Sequence, residues 1–176
     1  MRRLQIGLIG SYEDLPIEQY RKIAQEIGQE IAKAGAILVG GVELQAGLVR
    51  EAAKGCKAAG GFVLSVPRKI EDLAPEVDVF VPTYGAIGLR EYLLPLACDA
   101  IISINGGSGT LNEISVAYQN RIPVVMLANS GGWTEKLQNQ FLDARQKYRF
   151  ETAKTPKEAV ELASKLARAR LENGNQ

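Results

Sequence analysis

Residues 105 to 113 read Asn-Gly-Gly-Ser-Gly-Thr-Leu-Asn-Glu, directly after the apolar run Ala100 to Ile104 and directly before the helical pattern Ile114 to Tyr118. Glycine lets a chain turn tightly and bring its backbone close to a ligand. The start of a helix adds unpaired N–H groups and the positive end of the dipole. The chemistry this predicts is anion binding, with Gly106, Gly107, Ser108, Gly109 and Thr110 as the cradle of a phosphate. A Walker loop is excluded because no lysine precedes Thr110, and a dinucleotide fingerprint because Gly107-Ser108-Gly109 is followed by Thr-Leu-Asn.

Two charged residues stand near this cradle in the pattern. Thr110-x-x-Glu113 fits a capping box, in which the glutamate returns to the threonine N–H. A carboxylate in the first turn beside a phosphate also suits a second role, stabilising positive charge at the anomeric carbon of a sugar. Arg90 interrupts the apolar stretch Ala86 to Leu94 with no acid three or four residues away. Its fork suits a ligand phosphate, or the positioning of Glu113, and a surface or interface arginine is the alternative. Ser11 after Gly10, and Thr83 after a later strand, offer hydroxyls for a ligand, a helix cap or a turn. Gly40-Gly41 form another strand-end turn, flanked by Glu43 and Gln45, which point only weakly to a sugar or base. Trp133 reads as packing or as a lip over the pocket.

The chain has no histidine, which excludes Ser-His-Asp and Cys-His nucleophiles and histidine-ligated metals, so no metal site is expected. Cys56 and Cys98 lack metal or disulfide spacing and read as buried, reduced thiols.

Positioning these residues requires an alternation of strands and helices. Strands are predicted at Leu4–Ile9, Ala36–Val39, Phe62–Val66, Asp78–Val81, Ala100–Ile104, Pro123–Leu127 and, shorter, near Tyr148–Phe150. Helices are predicted at Pro16–Ala34, with Ile23, Ile27 and Ile31 on one face, and at Leu44–Ala59, ended by Gly60-Gly61. Further helices are predicted at Ile87–Ala97, from Thr110, at Thr134–Asp143 and at Pro156–Leu171, with a frayed tail from Glu172. Unbroken apolar strands between helices indicate a mainly parallel sheet buried on both faces, hence an α/β, Rossmann-like, doubly wound fold sandwiched by helices. In that architecture the strand ends at Gly10-Ser11, Gly40-Gly41, Pro82-Thr83 and Gly106-Gly107 are expected around one crevice.

The 176 residues, 46% of them apolar, fit a single domain spanning 1–176. Lysine plus arginine (21) nearly cancel aspartate plus glutamate (20), so nothing attracts nucleic acid or an anionic membrane globally. The basic residues of the last helix alternate with Glu158 and Glu161 as a solvated face. Without a spanning helix or an export signal, a cytoplasmic location is expected.

Asn105-Gly-Gly-Ser-Gly-Thr-Leu-Asn-Glu113 resembles the Pro-Gly-Gly-x-Gly-Thr-x-x-Glu signature of the "lonely guy" superfamily, long labelled possible lysine decarboxylases. Arg90, Cys98-Asp99-Ala100 and Gly40-Gly41 extend the likeness over roughly residues 4 to 130. The resemblance implies phosphoribohydrolase action on nucleoside 5′-monophosphates, with Arg90 and Glu113 as the catalytic pair, no cofactor required, and a homo-oligomer. Three features depart from it: Asn105 replaces the proline, Glu91 follows Arg90, and the loop from Gly40 to Gly47 is longer and less rich in glycine. The shorter chain more closely resembles an uncharacterised prokaryotic branch that includes molybdenum-cofactor carrier-like proteins, which implies binding a phosphorylated cofactor without turnover. Lysine decarboxylation lacks a physical basis, because no lysine stands in the cradle to form the required Schiff base.

Overall fold

The computed structural model describes residues 2–12, 16–85 and 88–173. The strands are β1 (Gln5–Gly10), β2 (Ile37–Gly40), β3 (Phe62–Ser65), β4 (Val79–Phe80), β5 (Ala100–Ile104), β6 (Val124–Leu127) and β7 (Glu151–Ala153). The helices are α1 (Arg21–Lys33), α2 (Gly47–Ala58), α3 (Leu89–Leu96), α4 (Ser108–Gln119), α5 (Gly132–Lys136) and α6 (Pro156–Asn173). The strands form one seven-stranded sheet in the order β4-β3-β2-β1-β5-β6-β7, and every pairing is parallel. This is the α/β, Rossmann-like sandwich expected from the alternation.

Successive strand residues point to opposite faces, and both faces are covered. Ile6 and Leu8 of β1, Ile102 and Ile104 of β5, and Val125 and Leu127 of β6 pack with α1, α2 and α6. Ile9, Ile101, Val124 and Met126 pack on the other side with Leu94 of α3 and with Ile114 and Ala117 of α4. The α1 and α2 backbones touch through two glycines: a Cβ on Gly28 would lie 1.8 Å from the Ala52 carbonyl, and one on Gly55 2.0 Å from that of Gln25. Asp99 starts the central pair, accepting the Gln5 N–H at 2.8 Å while held by both Nη atoms of Arg2.

Several boundaries differ from expectation for local reasons. A 3-10 turn (Glu18–Tyr20) precedes α1, which begins only at Arg21, and Ile27 and Ile31 are fully buried. Leu44 is not helical, because its N–H is bonded to the Asp72 carbonyl at 2.7 Å and Glu43 bridges Leu73, so α2 starts at Gly47. The helix expected over 134–143 ends at Lys136, and Asn139 turns left-handed beyond it (φ 54°). The last strand falls at Glu151–Ala153 rather than 148–150, because Tyr148 and Phe150 are taken up in an aromatic cluster with Tyr118. The expected start of the Arg90 helix at Ile87, and the tail beyond Asn173, lie outside the described residues.

Candidate functional site

From β1 the chain winds outward through β2, β3 and β4, then returns to place β5 on the other side of β1. The connections leaving β1 and β5 therefore diverge, and a crevice opens at their carboxyl ends. It has a volume of 420 Å³ and is lined by Gly10, Ser11 and Tyr12 after β1, Gly41 after β2, Arg68 after β3, Arg90 of α3, and Gly107 to Thr110 with Glu113.

The predicted cradle divides into an inward and an outward part. Asn105 and Gly106 are both left-handed (φ 58° and 104°). The Gly106 N–H donates to Ser11 Oγ at 2.9 Å and to Asn105 Oδ1 at 2.7 Å, and Ser11 donates to Asn105 Oδ1 at 2.9 Å. Gly106 is thus consumed within the protein and does not line the crevice, contrary to expectation. A Cβ there would also lie 2.5 Å from Thr110 Cγ2. From Gly107 onward the cradle faces outward. Gly107 is the N-cap of α4 and supplies no side-chain cap, so the N–H groups of Ser108, Gly109 and Thr110 have no acceptor within the helix. Nothing stands within 4 Å of where a Gly109 Cβ would be.

The capping box is not formed. Because α4 begins at Ser108, Glu113 is its sixth residue, too deep in the helix to reach back to the Thr110 N–H. Thr110 instead donates its hydroxyl to the Gly10 carbonyl at 3.3 Å. The Glu113 carboxyl is buried at the crevice wall and has no hydrogen bond among the described residues. Burial pushes its pKa up to about 8; Arg90 opposes that shift and the negative charge of Glu91 adds to it.

Expected to hold a ligand phosphate or to orient Glu113, Arg90 acts on that carboxyl by charge and makes no hydrogen bond to it among the described residues. Its Nη1 donates to the Tyr12 hydroxyl at 2.8 Å and to Glu43 Oε2 at 3.1 Å, and its Nη2 to Glu91 Oε1 at 2.9 Å. Its Nε is buried without a partner among the described residues. Burial works against the Arg90 charge, yet the surrounding Tyr12, Glu113 and Glu91 outweigh it and raise the guanidinium pKa. Tyr12 donates to Glu43 Oε2, and burial raises its own pKa. Glu43 also accepts the Arg68 N–H at 2.6 Å, and its Oε2 lies 3.7 Å from Arg68 Nη2. The guanidiniums of Arg68 and Arg90 lie 5.6 and 5.4 Å from the centre of the Tyr12 ring.

The structure thus brings together Gly10, Ser11, Gly41, Arg90, Glu113 and the outward cradle. Gly40 is not among them: it ends β2, where a Cβ would strike Val49 at 2.5 Å, so its smallness serves packing. Thr83 is tied to the Pro67 carbonyl at 3.3 Å, and the fourth strand end stays apart from the crevice. Gln45 is exposed, and Trp133 lies under Lys136, away from the crevice. Sequence reasoning missed Tyr12 and Arg68, although each follows a strand end at the expected ligand edge. Cys56 and Cys98 are free and buried, and burial raises the Cys56 thiol to about 11. Among the described residues no cluster of metal-ligating side chains occurs, and no helix is long and apolar enough to cross a membrane.

The chain matches the model of the SLOG cluster4 family over residues 3–160. An uncharacterised protein of Archaeoglobus fulgidus is 36% identical over 120 residues, 68% of this chain and 76% of that protein. The solved structure of TM1055 is similar with a TM-score of 0.83 and 28% identity, covering 92% of this chain and 99% of that one. The molybdenum cofactor binding protein of the phototrophic bacterium Rippkaea orientalis gives a TM-score of 0.80 and 26% identity over 94% of this chain and 98% of that one. The Moco carrier protein of Chlamydomonas reinhardtii gives 0.82 and 26% over 96% and 99%.

Proposed function

The chain belongs to the SLOG cluster4 family, and we propose that its crevice binds a small phosphorylated cofactor of the phosphopterin type and carries it without turnover. The observation that carries this reading is the uncapped first turn of α4, whose free N–H groups open onto the crevice. A phosphate held by Gly107, Ser108, Gly109 and Thr110 would satisfy those donors and meet the positive end of the helix dipole. Arg68, whose side chain is part-exposed at the crevice, can meet the polar edge of a heterocycle, and the 420 Å³ of the crevice lies within the usual range for small-ligand sites of about 300–1,000 Å³. The similarity to the molybdenum cofactor binding and carrier proteins supports the same ligand class. With no ligating cluster among the described residues, a metal brought by such a cofactor would have to be held by the cofactor's own atoms.

Carriage is favoured over hydrolysis by the engagement of Arg90 within the protein. The hydrogen bonds of Arg90 are directed at Tyr12, Glu43 and Glu91. Burial pushes the Glu113 pKa up to about 8, which favours its neutral form near pH 7. A neutral carboxyl does not repel a neighbouring phosphate, and it cannot stabilise an oxocarbenium charge. The same neutral carboxyl supports a second reading, in which Glu113 is a general acid that protonates the leaving base of a nucleoside 5′-monophosphate.

The deciding experiment isolates the protein and its Gly107→Asp variant from cells that make the cofactor, releases any ligand by denaturation, oxidises it and measures pterin fluorescence. Near-equimolar pterin with the wild type and none with the folded variant is expected. Absence of pterin, together with free base released from nucleoside 5′-monophosphates by the wild type but not by Glu113→Gln, would replace carriage by hydrolysis.

A further inference from the structure

At the opposite edge of the sheet, where β6 and β7 begin, a second pocket of 650 Å³ opens between the end of α4, the segment 147–149 and the last turns of α6. We propose that it is a separate ligand site for a small organic anion, one with an apolar or aromatic body and a carboxylate, sulfonate or phosphate group.

Three observations converge on this pocket. The first is its charge: Arg121, Lys147, Arg149 and Arg170 line it against a single acid, Glu151, a local excess of three in a chain whose net charge is +1. Lys147 Nζ is spent on the Gln119 carbonyl at 2.7 Å, Arg149 lies 5.2 Å from the centre of the Phe141 ring, and Arg170 acts on Asp99 by charge, but none of the three arginines has an ion pair among the described residues. The groove between α1 and α6 provides the contrast. It has as many cations but carries Glu30, Glu161 and Glu172 among them and closes the pairs Lys33–Glu30 (2.6 Å) and Lys157–Glu161 (3.8 Å). One basic groove is neutralised from within, and the other keeps its field for an outside anion.

The second observation is the backbone at Arg121. The end of α4 is a Schellman turn, with Ile122 N–H bonded to the Ala117 carbonyl at 2.9 Å and Arg121 N–H to the Tyr118 carbonyl at 3.3 Å. Arg121 occupies its left-handed position at φ 54°, where glycine or asparagine costs least. A long cationic side chain placed there at a conformational cost points to a use for that side chain.

The third is the wall. Pro123, Val124, Leu166 and Tyr148 give it an apolar floor. That floor is fixed from below: Tyr148 donates to the Ile122 carbonyl at 2.7 Å, and the Lys147 N–H donates to the Tyr118 hydroxyl at 2.8 Å. A fixed apolar floor with arginines at its rim suits an amphipathic anion better than inorganic phosphate.

The test uses the full chain and 8-anilinonaphthalene-1-sulfonate, with uncharged N-phenyl-1-naphthylamine as the comparison, by fluorescence titration. Arg121→Gly together with Arg149→Gln is expected to raise the dissociation constant of the sulfonate at least about tenfold and to leave that of the uncharged analogue unchanged. Because Arg121→Gly relaxes the backbone, the thermal midpoint of this variant is expected to hold or rise, which separates lost binding from lost folding. Gly107→Asp, at the other end of the sheet, should not alter the affinity. Sulfonate binding unchanged in the arginine variant, or abolished by Gly107→Asp, would overturn the second site.

Discussion

Position 107 decides whether the first turn of α4 keeps its N–H groups free, because the N-cap side chain is the ordinary acceptor for them. Gly107 has φ −93°, so an aspartate there adds no backbone strain. The new carboxylate would cap the helix and fill the anion site from within, adding up to about 1 kcal/mol of stability while removing phosphate binding. Thermal unfolding and titration with sulfate would check both halves; a variant that is as stable as the wild type and still binds sulfate would place the anion elsewhere. Glu113 makes a second prediction. Its pKa is raised from 4.5 to about 8 by burial, so over that interval the unfolded chain has lost the proton that the folded chain keeps. Stability from this group is therefore full below pH 4.5, falls as pH rises and is lost by pH 8. Glu113→Gln lacks that dependence. Denaturant unfolding at pH 5 and pH 8 should show the variant gaining on the wild type by more than about 1 kcal/mol as pH rises, and an equal difference at both values would return Glu113 to an ordinary carboxylate.

Among the elements, the β5–α4 turn is where this chain departs most from the signature it resembles. Asn105 is left-handed at φ 58°, its N–H donates to Ser130 Oγ at 3.0 Å, and its Oδ1 holds Ser11 and Gly106. Proline can neither adopt that angle nor donate. Asn105→Pro should therefore destabilise the protein by more than about 1 kcal/mol and more than Asn105→Gly, which keeps the backbone and loses only the side-chain bonds. Equal midpoints for the two variants in thermal unfolding would count against the turn as described. The same turn marks the limit of what the sequence makes legible. The strands β1, β2, β3, β5 and β6 are readable because a strand buried on both faces must be apolar along its whole length. The helix starts are not, because tertiary hydrogen bonds at Leu44 and the glycine cap at 107 override local preference. The cradle, Arg90 and Glu113 are readable as residue types near strand ends, whereas the Tyr12–Glu43–Arg68–Arg90 network is not, since its members meet only after four elements have packed. Arg90 looked unpartnered because its nearest acids are Glu91, which is adjacent, and Glu43, which is 47 residues away.

For the molecule as a whole, α3 turns its polarity inside out. Arg90 and Glu91 are buried, while Leu89, Tyr92, Leu93 and Leu96 are exposed, together with Val79, Phe80 and Val81 of the β4 edge and Tyr84 between them. Only Leu44 and Ile70 among the exposed large hydrophobics of the described residues lie outside this segment. Exposed apolar side chains on α3 and along the β4 edge are the kind of surface that association covers, and a second copy of this chain is the partner we propose for them. The helix that turns Leu93 outward also turns Arg90 inward to Tyr12 and Glu43, so on this proposal the contact would brace one wall of the crevice. Tyr92→Glu combined with Leu93→Glu should convert an oligomer to a monomer in sedimentation equilibrium, since two carboxylates facing their symmetry mates would oppose burial. With α3 no longer braced, sulfate affinity should fall several-fold in that variant, and it should also fall when the wild type is diluted below its dissociation constant for self-association. A wild type that sediments as a monomer at high concentration, and binds sulfate as tightly as the double variant does, would leave the patch without a partner of its own kind and the crevice complete in one chain.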